Sequence, residues 1–171
     1  MEKRIKPLEP PDSIHLKAAE GWLGLGDLIS ANDELEQITP EFRVHPAVLF
    51  VRYEIYSKGK KWDGAVEIAG ALVKLLPKQP ATWICLAYAT RRKTGGGISQ
   101  AKEILTEAKA KFPNKYLISF NLACYECQLG NLQVAKQRLK EAFDLAGKKD
   151  IRLMALDDPD LKPLWQQIGS I

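Results

Sequence analysis

Cys124 and Cys127 form a Cys-x-x-Cys pair, the spacing at which two thiols alternate between dithiol and disulfide in redox enzymes. That chemistry needs the first cysteine at a helix start that follows a strand, where the helix terminus lowers the thiol pKa. Here the pair falls in the middle of a helical run, one turn apart, so both cysteines read as small apolar residues, as does Cys85. A zinc site would need two more ligands, and the two histidines, His15 and His45, lie at the other end of the chain. The run Arg91-Arg92-Lys93-Thr94-Gly95-Gly96-Gly97 has the glycines of a phosphate-binding loop but neither its Gly-Lys-Ser/Thr ending nor a strand before it. Cations closing a helix and glycines reversing the chain account for it, although an acidic partner could also meet this loop. Lys58, Lys60 and Lys61 read in the same way, as a solvated turn or a basic patch. Asp157, Asp158 and Asp160 lack the alternating oxygen ligands, turn glycine and distant glutamate of a calcium loop, and helix capping explains them. No Ser/His/Asp set assembles, so no catalytic residue, metal or cofactor is expected.

The elements that carry these residues are set by a repeat. Ala31, Ala65, Ala101 and Ala135 are spaced by 34, 36 and 34 residues. Leu35, Ala69, Leu105 and Leu139 follow four residues later, and Ile38, Leu72, Ala108 and Ala142 seven residues later, on the same helical face. Self-similarity at this period marks a stack of helical hairpins. After a Lys/Pro-rich leader to Pro11, Asp12 or Ser13 can cap a helix to about Leu25, and Gly26-Asp27 breaks it before a second helix to about Thr39. The same alternation predicts helices over 46–57, 62–75, 80–93, 98–112, 115–129 and 132–146. Pro77 and Pro113 close the second helices of their hairpins. The longer middle spacing is assigned to Gly95-Gly96-Gly97.

The 171 residues suffice for a domain with a real core, and 46% hydrophobic with 27% charged residues excludes general disorder. The formal net charge of +4 is spread along the chain, which argues against a nucleic-acid partner. No apolar run approaches the length of a bilayer span, and the charged, proline-rich start lacks a signal core, so no membrane insertion is expected and the cytoplasm is the default location. Three cysteines, an odd number, fit reduced thiols in that compartment.

Trp83, Leu86, Ala87, Ala101, Leu105, Ala108 and Pro113 resemble the pattern of the tetratricopeptide repeat family, as do Leu122, Ala123, Gly130, Asn131, Leu132 and Ala135. A first repeat resembles it through Ala18, Ala19, Trp22, Gly26, Asp27, Leu28 and Ala31, and a second through Trp62, Ala65, Leu72 and Pro77. The second departs at Arg52 and Tyr53, where a large apolar and a small residue are expected. The resemblance implies an all-α fold: a right-handed superhelical stack of antiparallel helix-turn-helix hairpins, an α-solenoid. The expected organisation is a flexible leader over 1–11, four repeats over 12–147 (about 12–45, 46–79, 80–114 and 115–147), and a C-terminal cap of one or two helices over 148–171. Asp158 would cap the last helix with Pro159 in its first turn, and the run from Ala155 to Leu164 resembles tails that follow bacterial repeats of this family.

In that family the first helices of successive repeats line a concave groove and receive a protein or peptide partner. By register the groove would present Leu16, Glu20 and Leu23; Phe50, Glu54 and Ser57; Ile84, Tyr88 and Arg91; and Leu117, Phe120, Cys124 and Cys127. A set this apolar disfavours an acidic chaperone tail, which would need charged donors, and favours an apolar or amphipathic peptide or helix. Phe50, Ile84, Tyr88 and Phe120 are the candidate anchors, Glu54 and Arg91 the candidate orienting charges, and Cys124 a groove-lining residue. Glu20 and Glu54 could favour a basic flank on the ligand or simply keep the face wet. The same face could instead be covered by the chain's own C-terminal helix or by a second copy, giving a structural homo-oligomer or homodimer. In every case the expected role is a non-enzymatic interaction scaffold.

Overall fold

The computed structural model describes residues 6–171, with the side chains of 148–150 left aside. Among the described residues every regular element is helical. The chain divides into two compact units, the first ending at Lys78 and the second running Gln79–Ile171.

The N-terminal unit holds α1 (Asp12–Leu25), α2 (Leu28–Gln37), α3 (Pro46–Lys58) and α4 (Trp62–Leu75), packed as the consecutive pairs α1/α2 and α3/α4. Ala19, Leu23, Ala31, Leu35, Ile38, Val48, Val51 and Ile55 form its core, and Leu8, from the segment read as a leader, packs against it. Gly26 takes the left-handed conformation that ends α1, at φ 84°, and Asp27 caps α2 by accepting from the amides of Ile29 and Ser30 at 3.2 and 3.0 Å. Asp12 is already helical and does not cap α1; its buried carboxylate accepts from the Thr39 amide at 2.7 Å, just beyond α2. A short 3-10 turn, Pro40–Phe42, unanticipated from sequence, leads into α3.

Arg52 and Tyr53, the departures from the repeat pattern, both find a place. Tyr53 is buried, while the Arg52 guanidinium pairs with Glu36 of α2 at 2.7 Å, and Glu36 also accepts from Arg43 at 2.8 Å. Hydrogen bonding from Arg52, reinforced by the two guanidinium charges and opposed by burial, lowers the Glu36 pKa.

The C-terminal unit holds α5 (Pro80–Arg92), α6 (Ile98–Lys111), α7 (Tyr116–Gln128), α8 (Leu132–Ala146) and α9 (Lys148–Asp157), then a 3-10 segment, Pro159–Ser170. The pairs α5/α6 and α7/α8 repeat the hairpin, and α6 packs on α7. All twelve residues of the alanine register, from Ala31 to Ala142, are fully buried, so the periodic positions are the helix-packing positions. Among Gly95-Gly96-Gly97, only Gly95 has a left-handed φ, 65°. Gly96 is required by space, because a Cβ there would sit 2.0 Å from the Thr90 carbonyl oxygen.

The terminal segment is anchored twice. Trp165 Nε1 donates to the carbonyls of Ala155 and Asp158 at 3.1 and 3.3 Å, and Arg152 of α9 donates to those of Ile168 and Gly169 at 3.0 and 2.9 Å. Leu161, Leu164 and Ile168 are fully buried. The expected C-terminal cap is therefore α9 plus a 3-10 segment, with Asp158 accepting from the Asp160 amide at its start, 2.9 Å away.

Candidate interaction faces

In the N-terminal unit the first helices α1 and α3 border a cleft of about 330 Å³ lined by Leu23, Gly24, Ala47, Phe50, Val51, Glu20, Glu54 and Lys58. Its floor is apolar, and Phe50 is half-buried there. Glu20 and Glu54 stand exposed at its edge, one from each helix, and neither is ion-paired among the described residues. The one cation, Lys58, donates to the Leu23 carbonyl at 3.2 Å and so satisfies an open carbonyl near the end of α1. Of the sequence candidates, Phe50 and Glu54 meet here.

In the C-terminal unit the corresponding face is already in use. The 3-10 segment packs against α7. Arg91 of α5 forms a forked pair with both carboxylate oxygens of Asp160, the Nη2 contact being 3.0 Å, and also lies 5.3 Å from the centre of the Tyr125 ring. Gln128 of α7 donates to the Asp160 carbonyl at 2.9 Å, and the Cys124 thiol donates to Asp158 Oδ2 at 3.5 Å. The hydrogen bond to Asp160 raises the Arg91 pKa, and burial raises that of Tyr125 to about 12. A cavity of about 490 Å³ beside this contact brings together Tyr88, Arg91 and Cys124, three of the sequence candidates, with Asn121, Met154 and Asp157.

Three expectations need correction. Phe120 and Cys124, read as groove residues open to a ligand or, in the alternative, covered by the chain's own C-terminal helix, are 4% and 3% exposed; Cys124 meets Asp158, and the segment that follows packs on α7. Arg91, read as an orienting charge for a ligand, is engaged by Asp160. Ile84 is half-buried on α5 and lies outside the cavity, whereas Tyr88 remains partly open within it. The Arg91–Asp160 and Gln128–Asp160 contacts join residues 69 and 32 positions apart, beyond the reach of local periodicity. The signal that could have found them is the pairing of an arginine at the end of a first helix with the acidic run 157–160 after the array.

The side chains that invited catalytic readings are otherwise occupied. Burial, then the nearby Asp158 carboxylate, pushes the Cys124 thiol far up, and burial also raises Cys127, so neither is a ready thiolate. His15 pairs with Glu34 at 2.8 Å, and His45 donates from Nε2 to the Lys6 carbonyl while Nδ1 accepts from the Ala47 amide. Arg92 stacks over the Tyr88 ring at 3.5 Å and Lys61 lies 5.6 Å from that of Tyr56. No metal-binding group of histidine, cysteine and carboxylates occurs among the described residues, and no helix there is long and apolar enough to cross a membrane.

No family model matches the chain, and no curated protein matches it in sequence. Solved structures do. TTC0263, a thermophilic tetratricopeptide-repeat protein of Thermus thermophilus, superposes with a TM-score of 0.70 at 20% identity, over 92% of this chain and 83% of that one. MamA from Desulfovibrio magneticus RS-1 gives 0.69 at 14% identity, over 81% and 77%, and MamA of MSR-1 gives 0.63 at 19%, over 78% and 76%. The fold is that of the tetratricopeptide-repeat solenoids, as the repeat register implies.

Proposed function

We propose that this chain is a non-enzymatic interaction scaffold that receives an apolar or amphipathic protein segment in its N-terminal cleft. One observation carries this reading: the half-buried Phe50, seated over the buried Leu23 and Val51, gives the cleft between two first helices an apolar floor. A cleft of this kind suits helix-in-groove recognition, in which a few apolar anchors supply most of the affinity. The partner is a protein rather than a nucleic acid, since the net charge of +4 is dispersed and Arg91 and Arg92 are held in local contacts. Unbridged thiols at Cys85, Cys124 and Cys127 fit a role in the cytoplasm. The buried, protonated Cys124 and the engaged histidines speak for recognition rather than catalysis.

The test is selection of binders from a library of amphipathic helical peptides, repeated with Phe50→Ala. Peptides that bind the parent and lose tenfold or more on the variant, with its helical circular dichroism unchanged, support the cleft; equal binding by both chains overturns it. Self-association is the second reading, favoured by the exposed Ile14, Leu25 and Ile29 at the first hairpin. Light scattering that finds a dimer dispersed by Leu25→Ser would favour it.

A further inference from the structure

Ala65 and Ala135 stand 70 residues apart in the same repeat position, so Phe50, Glu54 and Lys58 of α3 correspond to Phe120, Cys124 and Gln128 of α7. On α7 this face has an occupant in the structure. The segment Pro159–Ser170 places Asp160 against Arg91 and Gln128, the preceding Asp158 meets Cys124, and Leu161, Leu164 and Ile168 are buried behind that acidic head. The occupant thus combines apolar residues at i, i+3 and i+7 with a charge, one residue before the first of them, that opposes the charge of the face.

The N-terminal cleft offers an apolar floor of similar kind with the opposite charge. Glu20 and Glu54 are themselves one repeat apart, 34 residues, and edge the cleft from neighbouring first helices. Neither has an ion-pair partner among the described residues, and Lys58 is directed to the Leu23 carbonyl instead. A bound segment that covered Phe50 and left two carboxylates facing apolar surface would be penalised, whereas one bearing a cation there would gain charge-assisted hydrogen bonds.

We infer that the N-terminal cleft takes a partner segment built like the chain's own C-terminal segment but with a basic head: apolar residues at i, i+3 and i+7, with Lys or Arg at i−1. This rests on the cleft reading proposed above and names the chemistry of its ligand. Glu20 and Glu54 select the cation, and Phe50, over the buried Leu23 and Val51, meets the apolar residues.

The test uses three fluorescein-labelled synthetic peptides spanning residues 159–171 of this chain: the native sequence, D160Q and D160K. Each is titrated by anisotropy against the full-length chain at low salt. The D160K peptide is expected to bind at least fivefold tighter than D160Q, with the native peptide weakest at this site. Glu20→Gln with Glu54→Gln should bring D160K and D160Q together, as should high salt, and Phe50→Ala should weaken both. Both glutamates are exposed, so the double variant keeps its fold. Equal binding of D160K and D160Q that Phe50→Ala still weakens would overturn the basic-head assignment and leave the cleft reading standing. Absence of binding by all three would overturn the cleft reading as well. A concentration-dependent dimer dispersed by Phe50→Ala would make a second copy the occupant and overturn the assignment.

Discussion

Phe50 and Phe120 hold the same position in repeats two apart, yet Phe50 is half-buried beside an open cleft and Phe120 is 4% exposed beneath a covered face. The hairpins that present them are built alike, with the same buried alanine and leucine register. What differs is how each face is finished. In the C-terminal unit, α9 and the 3-10 segment bury Leu161, Leu164 and Ile168 and tie Asp160 to Arg91. In the N-terminal unit the cleft keeps an apolar floor and two exposed glutamates. One fold has thus made a covered face and an open face from equivalent positions, and the difference lies in what the rest of the chain lays over them.

Truncating the paired phenylalanines breaks or confirms that contrast most sharply. Phe120→Ala removes a buried ring and should cost about 3–5 kcal/mol of stability, whereas Phe50→Ala should cost less, about 1–2 kcal/mol, its ring being only partly buried. Urea unfolding read by tryptophan fluorescence can separate the units, since Trp22 and Trp62 lie in the first and Trp83 and Trp165 in the second. Equal losses at the two positions would mean that the faces are not differently finished.

A smaller effect sharpens the same point. Arg91→Ala should destabilise the C-terminal unit by about 1–3 kcal/mol, because it removes charge-assisted hydrogen bonds to Asp160 and leaves that carboxylate half-buried. Arg91→Lys keeps the charge without the fork and should recover only part of the loss. A double-mutant cycle with Asp160→Ala isolates the pair; a coupling near zero would reduce the contact to an incidental one.

How far the sequence could anticipate this follows from the range of each interaction. The hairpins were readable because helix packing repeats locally: the alanine of Ala31 recurs in every repeat, the positions of Leu35 and Ile38 are apolar in each, and turns at Gly26-Asp27 and Gly130-Asn131 punctuate them. The helix limits 62–75 and 132–146 follow from such signals alone. The role of Asp12 was hidden, since a carboxylate at a helix start reads as a local cap and here reaches Thr39. The covering of α7 was visible only as an alternative, because nothing in the spacing of the α7 residues says that Asp158, more than 30 residues later, returns to Cys124. Burial of a groove position is decided by distant chain, and periodicity reports only which face a residue shares.

The smallest expected effect sets the acid behaviour of one unit against the other. Glu36 in the N-terminal unit has a lowered pKa through Arg52 and Arg43. At Glu141 in the C-terminal unit, burial works upward, but the hydrogen bonds and charges of Lys109 and Arg138 outweigh it and the pKa is also lowered. A carboxylate whose folded pKa lies below its unfolded one binds fewer protons when folded, so its stabilisation is complete above the ordinary glutamate range and lost as pH falls through the folded value. Each unit should therefore lose stability below about pH 4.5, and Glu36→Gln should flatten that limb in the N-terminal unit alone. Because the Glu36 side chain is 43% exposed, solvent screening should hold the change to about 1 kcal/mol or less, and added salt should shrink it further. An unchanged acid limb in Glu36→Gln would show that its bridge from α2 to α3 orders the two arginines without stabilising the hairpins, and that the apolar register alone holds the N-terminal unit together.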